Sequence, residues 1–89
     1  MDVRVEAKGQ LQKPVDAYIL IQAEKGSAQA VIEEIDPLPG VSRADAVTGA
    51  YNAVVRAEAP SIDGLAKVVH EIQAIPGVTG TLTCFVIDI

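Results

Sequence analysis

Two stretches of the chain repeat one another. Residues 35–42 read IDPLPGVS and residues 72–79 read IQAIPGVT. Each begins on an apolar residue that closes a helical pattern, passes through a Pro-Gly stop, and continues as valine and a hydroxyl residue entering a strand. Proline disfavours helical geometry in the residue before it, and the glycine can take a positive φ angle, so both stretches mark a helix end followed by a sharp reversal. A chain of 89 residues that contains this unit twice is constrained to two strand-helix-strand halves.

The flanking segments fill in those halves. AYILIQAE, 17–24, is rich in strand formers and too short for a typical helix. Gly26-Ser27 supplies a break and an N-cap, after which Ala28, Val31, Ile32 and Ile35 recur on one helical face. VSRADAVT, 41–48, and YNAVVRAE, 51–58, read as an antiparallel pair around Gly49-Ala50, with glycine where a two-residue type II′ turn needs it. Pro60-Ser61 opens a second helix with Ile62, Leu65, Ala66, Val69 and Ile72 on one face and Asp63 near its positive end. After Pro76-Gly77 the run 78–89 is the last strand. Right-handed crossovers then place both helices on one face of a four-stranded antiparallel sheet, the ferredoxin-like α+β arrangement βαββαβ.

The uncovered face of that sheet needs an explanation. Ile19 and Ile21 alternate with Tyr18 and Leu20, and Leu82, Cys84 and Val86 alternate with Phe85, Ile87 and Ile89, so both faces of these strands read as apolar. Two helices cover only one, and a domain of this size buries only roughly 60 to 65% of its unfolded surface. A second copy laid face to face is the economical cover, so the expectation is a dimer at least. Residues 1–16 precede this globular unit of 17–89 as an extension; Val3, Val5 and Ala7 alternate with charged residues there, in the manner of an edge strand or an arm onto a neighbouring subunit.

Charge and cysteine content limit the partners. The formal net charge is −5 and the seven basic residues are scattered, which argues against direct nucleic-acid binding, a process that depends on clustered cations. No stretch approaches the roughly 20 apolar residues of a membrane span and the first residues lack the apolar centre of a signal peptide, so the expected location is the cytoplasm. One cysteine, Cys84, allows no intrachain disulfide and reads as a buried thiol in an apolar strand.

The loop Thr48-Gly49-Ala50-Tyr51-Asn52 has the glycine of a turn but also three side chains able to hydrogen-bond, more than a hairpin requires. Together with AYILIQAE, IDPLPGVSRADAVTGAYNAVVRAEA and LAKVVHEIQAIPGVTGTLT, it resembles the effector-binding (RAM) domain of the Lrp/AsnC transcription regulators over about residues 17–87. The most specific pieces are TGAYN followed by VVRAEA and IPGVT followed by TLT. No DNA-binding domain precedes the unit in this sequence, so the resemblance is to a stand-alone form. It implies an assembly of dimers, commonly four, whose effector site lies between dimers and takes an amino acid or related metabolite. Thr48, Gly49, Ala50, Tyr51 and Asn52 would form one wall, and Thr81 and Thr83 of a neighbouring subunit another. It also implies partnership with full-length regulators of the family, with no cofactor. Asn52 departs from the aspartate often found at this place, and a neutral amide pairs less well with an α-ammonium group than a carboxylate does.

Other polar residues read as structural. His70 is the sole histidine, without neighbours in sequence to complete a metal site, and reads as a surface residue. Glu33, Glu34 and Asp36 read as a solvated helix face, and Arg56 with Glu58 as a surface ion pair. No spacing singles out a nucleophile with a base. The rival is a small dimeric α/β-barrel enzyme of the monooxygenase or isomerase type, which shares fold and dimer but usually lines an apolar pocket between helix and sheet with aromatics or a histidine.

Overall fold

A computed structural model describes residues 14–87. The elements run β1 (Val15–Ala23), α1 (Ala28–Ile35), β2 (Val41–Ala46), β3 (Ala53–Ala59), α2 (Ile62–Gln73) and β4 (Val78–Phe85). All pairings are antiparallel and the sheet order is β2-β3-β1-β4, which is the ferredoxin-like arrangement. Of the expected extension, residues 1–16, those up to 13 lie outside the described residues, as do 88 and 89, while Val15 and Asp16 belong to β1, opposite Ala59 and Glu58.

Alternation in β1 builds the core. Ala17, Ile19 and Ile21 are fully buried, and their partners Ala57, Val55 and Ala53 on β3 are buried beside them. Val31 and Ile35 of α1 and Leu65, Val68 and Ile72 of α2 close over this surface. Each large aliphatic side chain removed from water in this way contributes about 1.5–3 kcal/mol. Ala53, Ala57 and Ala59 on β3 keep the sheet surface beneath the helices low.

The buried face of α2 is turned relative to the sequence expectation. Leu65 and Ile72 are buried as expected, but the third core residue is Val68, while Ile62 is 63% exposed and Ala66 is also exposed. The apolar stripe of α2 is wider than the sheet can cover, and its outer edge overhangs β4. Caps also differ between the helices. Ser61 accepts from the Gly64 N–H at 3.1 Å, whereas the Ser27 hydroxyl donates to the Glu24 carbonyl at 2.7 Å and makes no side-chain cap.

The two-residue turn expected at Gly49-Ala50 is a longer loop. β2 ends at Ala46 and β3 starts at Ala53, and the Val47 N–H donates to the Asn52 carbonyl across the gap at 3.0 Å. The cause is competition from β1, since the Asn52 N–H donates instead to the Ile21 carbonyl at 2.8 Å.

The repeated Pro-Gly stops have a common basis. Gly40 and Gly77 have φ of +93° and +100°, and a Cβ at either would stand 2.9 Å from an existing atom, the Glu58 carbonyl oxygen and Ser27 Oγ respectively. At Gly40 the obstacle is backbone, held by the Glu58 N–H to Gly40 carbonyl bond of 2.7 Å, and cannot move aside alone. Gly40→Ala is expected to destabilise the domain by about 2–3 kcal/mol, combining the left-handed strain with the clash. Urea unfolding followed by circular dichroism checks this; a loss under about 0.5 kcal/mol, the range of ordinary surface substitutions, would contradict the steric account.

Candidate binding loop and a groove between helix and sheet

The loop 47–52 is exposed yet tied down. Thr48, Gly49 and Ala50 are exposed, and Tyr51 and Asn52 are partly buried. Asn52 is the anchor: its side-chain oxygen accepts from the Ala23 N–H at 2.7 Å while its own N–H holds Ile21. The Ala23 N–H needs this partner because the β1–β4 register shifts between Gln22 and Ala23, where the ladder breaks. Gln22 adds a second tie, its side-chain nitrogen donating to the Ala50 carbonyl at 3.3 Å. Gly80 leaves room for it; a Cβ there would stand 3.0 Å from the Gln22 side-chain oxygen. Gly49 has φ +124°, and nothing lies within 4 Å of the place a Cβ would take, so its surroundings are open.

Thr81 and Thr83 stand elsewhere on the protomer. They pair with Ile21 and Ile19 and share the helix-facing side of the sheet. The Thr81 hydroxyl accepts from the Gln73 side chain at 2.9 Å, and Ile21 separates Thr81 from Ala53, placing the threonine about 10 Å from the loop's end by strand spacing. One protomer therefore does not bring the loop and the threonines into a single pocket.

Thr83 instead lines a groove of about 250 Å³ between α2 and β4. Its walls are Ile62, Leu65, Ala66, Val69 and Phe85, with His70 and Gln73 on the helix side. Sequence reading missed this groove. The available signal was the apolar stripe of α2, one position wider than a core face, with the only histidine and the only phenylalanine of the chain meeting at it. Among the described residues, no group of three or more histidines, cysteines or carboxylates stands where it could hold a metal ion.

The open sheet face is divided. Across β1 and β4 it presents Tyr18, Leu20, Leu82 and Cys84; across β3 and β2 it presents Val54, Arg56, Arg43 and Asp45. The apolar expectation holds for the first half only. Arg56 pairs with Asp16 at 3.2 Å, not with Glu58, because its guanidinium lies over the Tyr18 ring, 5.2 Å from the centroid, and bonds the Tyr18 hydroxyl at 2.9 Å. Arg43 pairs with Asp45 at 2.8 Å. Cys84 is exposed rather than buried, since it points away from the helices on an edge strand.

Asn52→Ala is expected to cost about 1–2 kcal/mol, because it strands the partly buried Ala23 N–H, whereas Asn52→Asp keeps an acceptor there and should stay within about 0.5 kcal/mol of the parent near neutral pH. Thermal and urea unfolding of the two variants measure this, and equal losses in both would show that the side-chain bond carries no weight.

Comparisons with known proteins agree with this architecture. The family model described as the Lrp/AsnC ligand binding domain matches residues 16–89. A crystal structure of TTHA0845 from Thermus thermophilus superposes with a TM-score of 0.80 at 30% identity, covering 84% of this chain and 95% of that one. E. coli AsnC superposes with a TM-score of 0.79 at 25% identity, covering 98% of this chain and 70% of that one. Homocitrate synthase of Sulfurisphaera tokodaii is 27% identical over 93 residues, which is 98% of this chain and 20% of the enzyme; the chain thus spans about a fifth of that relative. On the family match and the shared fold, the chain belongs to the Lrp/AsnC ligand-binding domain family.

Proposed function

We propose that this domain senses a small metabolite, an amino acid or a related compound, at a site completed between dimers, and acts in the transcriptional regulation of metabolism through its assembly or its partners. The observation that carries the reading is the loop 48–52, exposed at Thr48, Gly49 and Ala50 but stitched to β1 through Asn52 and Gln22. An exposed loop fixed in advance loses little entropy on binding, which is what a recognition surface needs. Thr48 to Asn52 of one dimer form one wall, and Thr81 and Thr83 of a neighbouring dimer, with the groove beside them, form the other.

Dimers form through the open sheet face. Tyr18 is 40% and Leu82 47% exposed there, beside Arg56–Asp16 and Arg43–Asp45 pairs that offer both signs of charge to a second copy. Four such dimers complete the ring, and full-length regulators of the family are natural co-assembly partners. We read the domain as a binding module rather than a catalyst: the Ser27, Ser42, Ser61 and Thr81 hydroxyls bond backbone groups or Gln73, not a base. It acts without a cofactor and does not itself grip nucleic acid. The likeness to a segment of homocitrate synthase fits a sensing module that serves an enzyme as readily as a regulator.

The α2–β4 groove favours a second reading, the small α/β-barrel enzyme, since His70 and Phe85 line one apolar space between helix and sheet. The two readings separate in one screen. Thermal shift against amino acids and related metabolites is expected to find a ligand that stabilises by roughly 2.7 kcal/mol at 100 times its dissociation constant and is recovered unchanged; a compound consumed during incubation would favour the enzyme.

Assembly is tested separately. Light scattering at micromolar concentration should show dimers or multiples of dimers, and Leu82→Arg, which buries a charge at the centre of the apolar half-face, should release monomers. A parent protein that is already monomeric would remove the between-dimer site.

A further inference from the structure

The hydrogen-bonding polarity of the loop restricts what it can hold. The Asn52 side-chain oxygen is committed to the Ala23 N–H at 2.7 Å, so the group left without a strand partner is the amide nitrogen, a donor. The Ala50 carbonyl is already taken up by Gln22. Residues 46–55, AVTGAYNAVV, carry no ionised side chain. Beyond these the loop offers the Asn52 side-chain N–H, the backbone N–H groups about Gly49, the Thr48 and Tyr51 hydroxyls, which donate or accept, and neutral backbone carbonyls, but no anion. The facing half has the same bias. None of the residues lining the α2–β4 groove is a carboxylate, its walls are Ile62, Leu65, Val69 and Phe85, and its one ionisable group is His70.

From this we infer that the effector is a small carboxylic acid with an apolar body and no ammonium group, of the 2-oxo acid kind. The inference rests on the between-dimer site above. An ammonium taken out of water with no carboxylate to meet it costs more than a neutral hydrogen bond returns. A carboxylate or 2-oxo oxygen, by contrast, accepts from an amide and from backbone N–H groups together, and charge-assisted bonds of this type are about twice as strong as neutral ones. The apolar body enters the groove, whose 250 Å³ lies just below the roughly 300–1,000 Å³ of drug-sized pockets and suits a small metabolite. The Thr83 hydroxyl stands at the groove and can donate as well as accept.

Position 52 sets this preference. In Asn52→Asp one carboxylate oxygen still accepts from the Ala23 N–H, and the outward group changes from donor to anion with the fold retained.

The test is titration calorimetry on the assembled protein and on Asn52→Asp, using two matched pairs of probes: leucine with 4-methyl-2-oxopentanoate, and phenylalanine with phenylpyruvate. The parent is expected to bind an oxo acid about ten- to a hundredfold tighter than its amino acid, and Asn52→Asp to reverse that order. An amino-acid preference in the parent that Asn52→Asp strengthens overturns the ligand class and leaves the site at the loop. An oxo-acid preference that Asn52→Asp does not change overturns the assignment to residue 52. Absence of binding by all four probes at millimolar concentration overturns the ligand class; if the metabolite screen also finds no ligand, the site itself falls with it.

Discussion

The row Ala17, Ile19 and Ile21 on β1 is what the rest of the domain is arranged around. β1 comes from the first half of the repeat, yet it lies between β3 and β4 of the second, so neither half has a complete sheet without the other. Its inward side chains are fully buried in one cluster with Val31 and Ile35 of the helix from the first half and Leu65, Val68 and Ile72 of the helix from the second. The repeat is thus not two small domains in series. Each half supplies a helix and an edge strand, and the shared centre makes them one cooperative core.

That interleaving explains why so much of the fold could be read from the chain. Strand formers in 17–24 marked the strand but not which of its two apolar faces meets the helices, whereas the Pro-Gly stops fixed where each helix had to end, since both glycines sit at positive φ against close neighbours. Patterns of apolar residues are less informative about angle. The stripe Ile62, Leu65, Ala66, Val69 and Ile72 defined a helix face but not how far β4 extends beneath it, so Val68 was missed as core and the groove was not foreseen. Side-chain pairing was legible least of all: Arg56 and Glu58 are close in sequence, but the Tyr18 ring on the neighbouring strand draws the guanidinium to Asp16.

The two sheet edges are treated differently, and the difference bears on assembly. β2 carries Arg43 and Asp45 and a register shift between Val41 and Arg43, features that discourage a further strand from adding to it. β4, reading VTGTLTCF, has no charge and no proline, and beside it Phe85, Val86 and Ile87 are exposed. The apolar half of the open face lies along this same side of the sheet. Among the described residues, the uncharged edge and the apolar half-face therefore adjoin along β1 and β4, and the charged residues of the open face lie on β3 and β2.

At the far end of β1 the same economy ties the strand to the loop. The break in the β1–β4 register frees the Ala23 N–H, a group that must find an acceptor, and the loop supplies one from Asn52. A side chain recruited for that purpose has one functional group left over, the amide nitrogen. Asparagine and aspartate meet the strand's need equally, because either offers an oxygen to the N–H. They differ only in what they turn outward, a donor or a negative charge. The fold is indifferent to that choice, so the residue at 52 is not dictated by the strand it serves.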